Sequence, residues 1–260
     1  MATKQNDVVA APSNGLALPS DVLARLAAKA QNVAAAERPS ISKFGLKSGV
    51  LSYGGNPMPN NEVEVIVLAA TYRSTWYAGR YDANNIVNPN CFSMSLTGED
   101  MTPDRVVENP PHATCKGCPK SEWKSDPATG KGKACKESRR LVLIPATVLK
   151  EADPAKAVAV AELAIMDLPV TSGKNYSNFV NALAAAANVP PFAAVTHIKV
   201  TPDAKTQFKV NFTPLSVVPS IEILDAIEKR IPEAERLGLQ GYEETASDAP
   251  KEQPQGKSKF

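Results

Sequence analysis

The chain has 260 residues and no run of eighteen apolar ones, so no membrane-spanning helix is expected. It holds two histidines, His112 and His197, which leaves little material for a histidine-based triad. HExxH is missing. Gly130, Lys131, Gly132 and Lys133 do not make a phosphate-cradling loop, because Ala134 stands where Ser or Thr is required and Pro127 where the first Gly belongs. The start, MATKQNDVVAAPSNG, lacks a charged residue run followed by an apolar block, so no secretory signal is expected and an intracellular location follows as the default. In a reducing compartment the four cysteines are metal ligands or free thiols in preference to disulfides.

What is present is unevenly placed. The net charge is only +2, yet His112 to Arg140, HATCKGCPKSEWKSDPATGKGKACKESRR, carries eight positive side chains against three negative. The same window holds Cys115, Cys118 and Cys135. Acidic residues gather instead between 222 and 252.

Periodicity predicts a β-rich α+β chain. Residues 1–19 read as a polar lead, followed by a helix over 21–37 with Ser20 as N-cap. Strands are expected over 41–55, 62–81, 140–144 and 157–166, then a helix over 175–189 entered at Thr171 or Ser172. Residues 193–200 and 206–216 make a hairpin around Pro202, Asp203 and Ala204. A short amphipathic helix over 221–231 follows, and from about 241 a disordered polar tail. The expected organisation is an arm over 1–40, a core over 41–218 and a helix and tail over 219–260. A polar insertion, about 85–139, interrupts the core. Loops that long are functional or carry their own staple.

All four cysteines lie in that insertion: Cys91, the C-x2-C pair Cys115 and Cys118, and Cys135. A tetrahedral zinc site needs four sulfur or nitrogen donors, and C-x2-C with Gly117 before its second Cys supplies two of them from one tight turn. Cys91 is the expected fourth ligand, with His112 as substitute. Bound zinc would stabilise a loop with few apolar residues. Ordinary buried thiols are the alternative. A deaminase-type catalytic zinc is not expected, since His112 is followed by Ala113 and Thr114 in place of H-x-E, and Thr114 in place of Pro precedes Cys115.

Next to the insertion, Tyr72, Trp76, Tyr77 and Tyr81 alternate with Arg73 and Arg80. Only 6% of the chain is aromatic, so four within ten residues is a concentration. Single-stranded nucleic acid needs this pairing of π-faces for bases with cations for phosphates. Trp123, Lys131, Lys133, Arg139 and Arg140 extend the candidate surface, with Lys199, Lys205 and Lys209 weaker members. For any one aromatic, a place in the core is the competing explanation.

The order WYAGRYD, PNCFS, C-x2-CP with a following Trp, GKGKAC with RRL, LPVTSGKNY and the hairpin VTHIKV–FKVNF resembles tailed-phage single-stranded-DNA-binding proteins of the zinc-containing OB-fold type. The resemblance spans roughly 41–215. It implies a five-stranded OB-type barrel with flanking helices, a structural zinc on Cys91, Cys115, Cys118 and Cys135, and a strand path along Tyr72, Trp76, Tyr77, Arg80, Lys131, Lys133, Arg139 and Arg140. It also implies a non-enzymatic role in DNA replication or recombination, in the host cytoplasm if the chain is phage-encoded. The tail departs from the pattern: Phe260 is terminal, but Lys257 and Lys259 precede it where acids are usual. Recruitment of replication or recombination proteins through it is the corresponding expectation. A zinc-stabilised structural or adaptor protein that binds another protein is the alternative. A sequence-specific duplex or RNA reader is a third reading, disfavoured because no recognition helix is visible.

Overall fold

The computed structural model describes residues 42–79 and 88–242, together with Val22, Arg25, Leu26 and Lys29. The chain divides after Ser40 into two units. Those four residues of the first unit are helical, within the stretch expected as a helix. Arg80 and Tyr81 lie outside the described residues, as does the tail beyond Tyr242.

The second unit is mixed α+β, built on one strongly curled, half-barrel sheet. Its strands are β1 Ser42–Lys47, β2 Val50–Tyr53, β3 Asn56–Pro57, β4 Glu62–Trp76, β5 Cys91–Ser95, β6 Lys136–Pro145, β7 Ala164–Leu168, β8 Ala194–Asp203 and β9 Gln207–Val217. They run in the order β3-β2-β1-β7-β6-β4-β8-β9, with β5 paired to β4 beside that path. Among the described residues only β1 and β7 pair in parallel. Nine strands are thus present among the described residues, where the resemblance implied five.

The strand grammar explains the layering. β4 reads EVEVIVLAATYRSTW, apolar through its middle, because both faces of the sheet are covered there. Val65 and Val67 enter the core inside the curl with Leu141, Leu143, Met166 and Ile198. Helix α2, Gly173–Ala187, fills this side through Tyr176, Phe179 and Leu183. Ile66 and Leu68 face the opposite core with Val142 and Ile144, under Val158, Ile223, Ile227 and Ala234. Each such large side chain contributes roughly 1.5–3 kcal/mol on burial.

Three expectations are corrected. The alternating Ala and Val over 157–166 is not one strand: Pro154–Val160 is helix α1, and only Ala164–Leu168 is strand. The Asp153 side chain accepts a hydrogen bond from the Lys156 amide, and Pro154 fills the first turn, so a capped start overrides the alternation. The last helix, α3, runs over Ile221–Gly238 and passes through Pro232, because Ala234 and Leu237 continue the face packed on the sheet. The insertion is not all loop either. Cys91–Ser95 pairs with β4, Trp76 opposite Cys91, and Phe92 is buried.

Candidate nucleic-acid interface and cysteine centre

Antiparallel pairing puts directly opposed residues on the same face. Tyr72 opposes Arg139, so both point to the inner face, where the Arg139 guanidinium lies over the Tyr72 ring at 3.4 Å. Gly98, with φ +76°, lets a turn lie directly on Tyr72; a Cβ there would fall 2.6 Å from the ring. Around this pair opens a groove of about 670 Å³. Its far wall is the cysteine turn at Cys115, Lys116 and Gly117, with Lys133 beside it. Glu99, Asp100 and Glu137 also line it, so the groove is mixed in charge.

The cysteine turn is built as the sequence suggests. The Cys118 amide donates to the Cys115 carbonyl at 3.3 Å, and Gly117 takes φ +78°, a conformation other residues adopt at a cost. Cys115 is tied by its amide to the Met101 carbonyl, and Cys135 to that of Lys120. All four cysteines are free of disulfides. They line one cavity of about 10 Å³, with His112 and Trp76 also in its wall. That is room for a single water-sized occupant. As placed, no three His, Cys, Asp or Glu side chains among the described residues form a metal-holding group. The donor chemistry nevertheless fits zinc. Four sulfurs line one cavity, and four thiolates are a donor set that zinc takes. Burial, then neighbouring thiols, push Cys91 up; burial outweighs hydrogen bonds from Ser93 and Ser121 to push Cys115 up and Cys135 up to about 11. His112 directs Nδ1 at the Thr114 carbonyl, 2.9 Å away.

The remaining expected binding residues are placed differently from one another. Trp76 is half-buried in the cysteine cavity wall, and Lys120 Nζ sits 4.9 Å above its ring. It therefore belongs to the cysteine centre more than to the groove. Trp123 is 76% exposed and Lys131 is exposed, both on the cysteine loop. Lys133 is paired with Glu137 at 2.6 Å. Lys199 and Lys209 are likewise paired, with Glu62 and Asp203.

Arg73 and Arg140 send their side chains to the opposite face, although Arg73 also lines part of the groove. Arg140 is 7% exposed, donating to Asp167 at 2.9 Å and to the Gln240 carbonyl at 2.6 Å. Arg73 meets Asp167 at 2.8 Å and donates to the Tyr242 hydroxyl, while Lys43 meets the same carboxylate at 2.9 Å. Burial alone would raise the pKa of Asp167, but Arg73, Arg140 and Lys43 outweigh it and hold the carboxyl well below the usual range. Burial likewise opposes the charge on Arg73, and Asp167 and Tyr242 outweigh it. Tyr242, expected in the tail, is docked: its ring packs edge-on against Phe92 at 5.0 Å and under Arg73 at 5.0 Å. Tyr77, 40% exposed, is pushed up to about 12 by burial and then by Tyr242.

Asp167 and Tyr242 were missed in the sequence, as were Lys116 and the groove acids. A register signal existed for the first. RRL on one strand and MDL on the next place a basic and an acidic residue opposite each other. Comparison of the chain with family models, with curated proteins and with solved structures returned no match.

Proposed function

We propose that this is a non-enzymatic nucleic-acid-binding protein whose groove takes an unpaired strand. More particularly, it coats single-stranded DNA during phage-type replication or recombination, inside the host cell. The observation that carries this reading is the Arg139 guanidinium stacked on Tyr72 in the floor of an open groove. A guanidinium plane on an aromatic ring gives a base a second flat surface, and its charge meets the adjoining phosphate. Exposed Trp123, Lys116, Lys124 and Lys131 on the neighbouring loop support the same chemistry. The curled half barrel is, on this reading, an elaborated OB-type barrel.

Cys91, Cys115, Cys118 and Cys135 would hold a structural zinc, which stabilises the loop that forms the groove wall. His112 is the reserve ligand. Metal analysis of purified protein is expected to find one zinc per chain, and finding none would remove that part of the proposal.

The test of binding is titration of labelled oligo-dT at low salt and again at higher salt. Binding that weakens steeply with salt is expected. No binding at low salt rejects the reading in favour of an adaptor that binds another protein. Glu99, Asp100 and Glu137 in the groove are the specific observation on the adaptor's side, since acids there suit a basic protein segment. Recruitment of replication proteins through the tail falls on residues outside those described.

A further inference from the structure

β4 is paired along one edge for most of its length and along the other only at its ends. Toward β6 its ladder runs from Val65 to Thr75. On the opposite edge β8 takes Glu62 to Ile66 and β5 takes Tyr72 to Trp76. Among the described residues no strand pairs with residues 67–71 on that edge, and the β-bulge between Val67 and Ala69 falls within them. About half the N–H and C=O groups of such a stretch point away from the paired neighbour.

A chamber of about 340 Å³ opens over this gap. Its floor is residues 67–70, and Val180, Phe192 and Leu96 form apolar walls. Tyr72 and Arg139 line both this chamber and the larger groove, so they stand between the two.

The shape decides among occupants. The gap is five residues, about 16 Å along the strand. A peptide adding itself as a strand would run on in the plane of the sheet, but β5 and β8 already occupy that plane at either end. A helix, about 10 Å across with its side chains, would need a longer apolar trough than Leu96, Val180 and Phe192 supply. A short planar group with apolar faces and donors and acceptors on its rim fits both walls and floor.

We propose that the chamber takes one unstacked base of the bound strand, with its edge against the free backbone groups of residues 67–70. The inference rests on the single-strand reading of the groove. It adds that one base position is enclosed and read at its edge, while the others stack without sequence preference.

The experiment is a fluorescence-anisotropy titration of an oligo-dT and of matched strands in which single positions are made abasic. Wild-type protein is expected to lose about tenfold in affinity when the abasic position coincides with the chamber, the scale of one base contact. Ser177→Trp places a large ring at the chamber mouth from an exposed helical position. It should weaken the full strand by a similar factor and leave the abasic strand unchanged. Val180→Trp, filling the chamber from its wall, is the second variant, and retained circular dichroism and melting temperature qualify either one. Full strand and every abasic strand bound alike by wild type, with no effect of either variant, overturns the chamber but leaves the groove. No strand bound by any protein overturns both.

Discussion

Arg139 and Arg140 are neighbours in the chain with opposite fates. Arg139 lies on Tyr72 at the edge of two cavities, with no carboxylate partner within salt-bridge distance among the described residues. Arg140 is buried on Asp167 and the Gln240 carbonyl. Tyr72 and Arg73 repeat the division one strand away, with Tyr72 in the groove and Arg73 spent on Asp167 and Tyr242. Period-two alternation therefore separates a groove-lining face from an internal ion cluster within a dipeptide. Positive charge in a sequence window is not positive charge on a surface. Of the cations counted near the cysteines, Arg140, Lys133 and Lys136 are committed to Asp167, Glu137 and Asp126.

The largest effect expected from breaking this contrast is on stability. Asp167→Asn leaves Lys43, Arg73 and Arg140 without their common carboxylate. Removing one partner of a buried ion cluster costs about 3–5 kcal/mol, because Arg73 and Arg140 stay desolvated, whereas the exposed Lys43 adds little. Urea denaturation should show a loss of that order. A loss below 1 kcal/mol would mean that water reaches the cluster freely.

The same carboxylate sets a pH dependence. Its folded pKa lies below the unfolded value of about 3.9. Its contribution is therefore fully present above that value and is lost as the pH falls through the folded pKa. Wild-type stability should decline on acidification below about pH 4 more steeply than that of Asp167→Asn, and parallel acid limbs for the two proteins would assign the dependence to other carboxylates.

Much of the fold was legible in the sequence, and the exceptions have physical causes. The β8–β9 hairpin and α2 follow from alternation, turn residues and apolar spacing. α1 was hidden because Ala and Val alternate as a strand would, and only the Asp153 cap decides otherwise. The cysteines converge as C-x2-C and economy of thiols suggest, since all four line one cavity. Of the Asp167 cluster, only the Arg140 pairing left a trace in the sequence, RRL against MDL, because the whole joins residues from β1, β4, β6 and β7. Only strand register brings those together, and composition does not encode register.

On the groove side the effects are smaller and fall on affinity. Arg139→Ala removes the plane lying on Tyr72 and should weaken oligo-dT binding by about 1–3 kcal/mol. Its denaturation midpoint should stay near that of wild type, since it carries no buried ion pair. Equal affinity for the variant would place the strand elsewhere. A stability loss matching that of Asp167→Asn would erase the distinction between the two faces.

The smallest expected change compares two lysines on the cysteine loop. Lys131 is exposed, and no salt bridge to it is found among the described residues, whereas Lys133 is held by Glu137 at 2.6 Å. An unpaired lysine that meets a phosphate releases a counterion. Each such contact adds about 0.7 to the slope of log affinity against log salt for a single strand. A lysine that must first leave a carboxylate contributes less, because the freed acid then repels the strand. Lys131→Gln should therefore flatten the slope by about 0.7, and Lys133→Gln by less than that. Equal slopes for the two variants would show that Glu137 surrenders its lysine on binding. An unchanged slope for Lys131→Gln would remove the loop from the strand path, leaving Tyr72 and Arg139 as the interface.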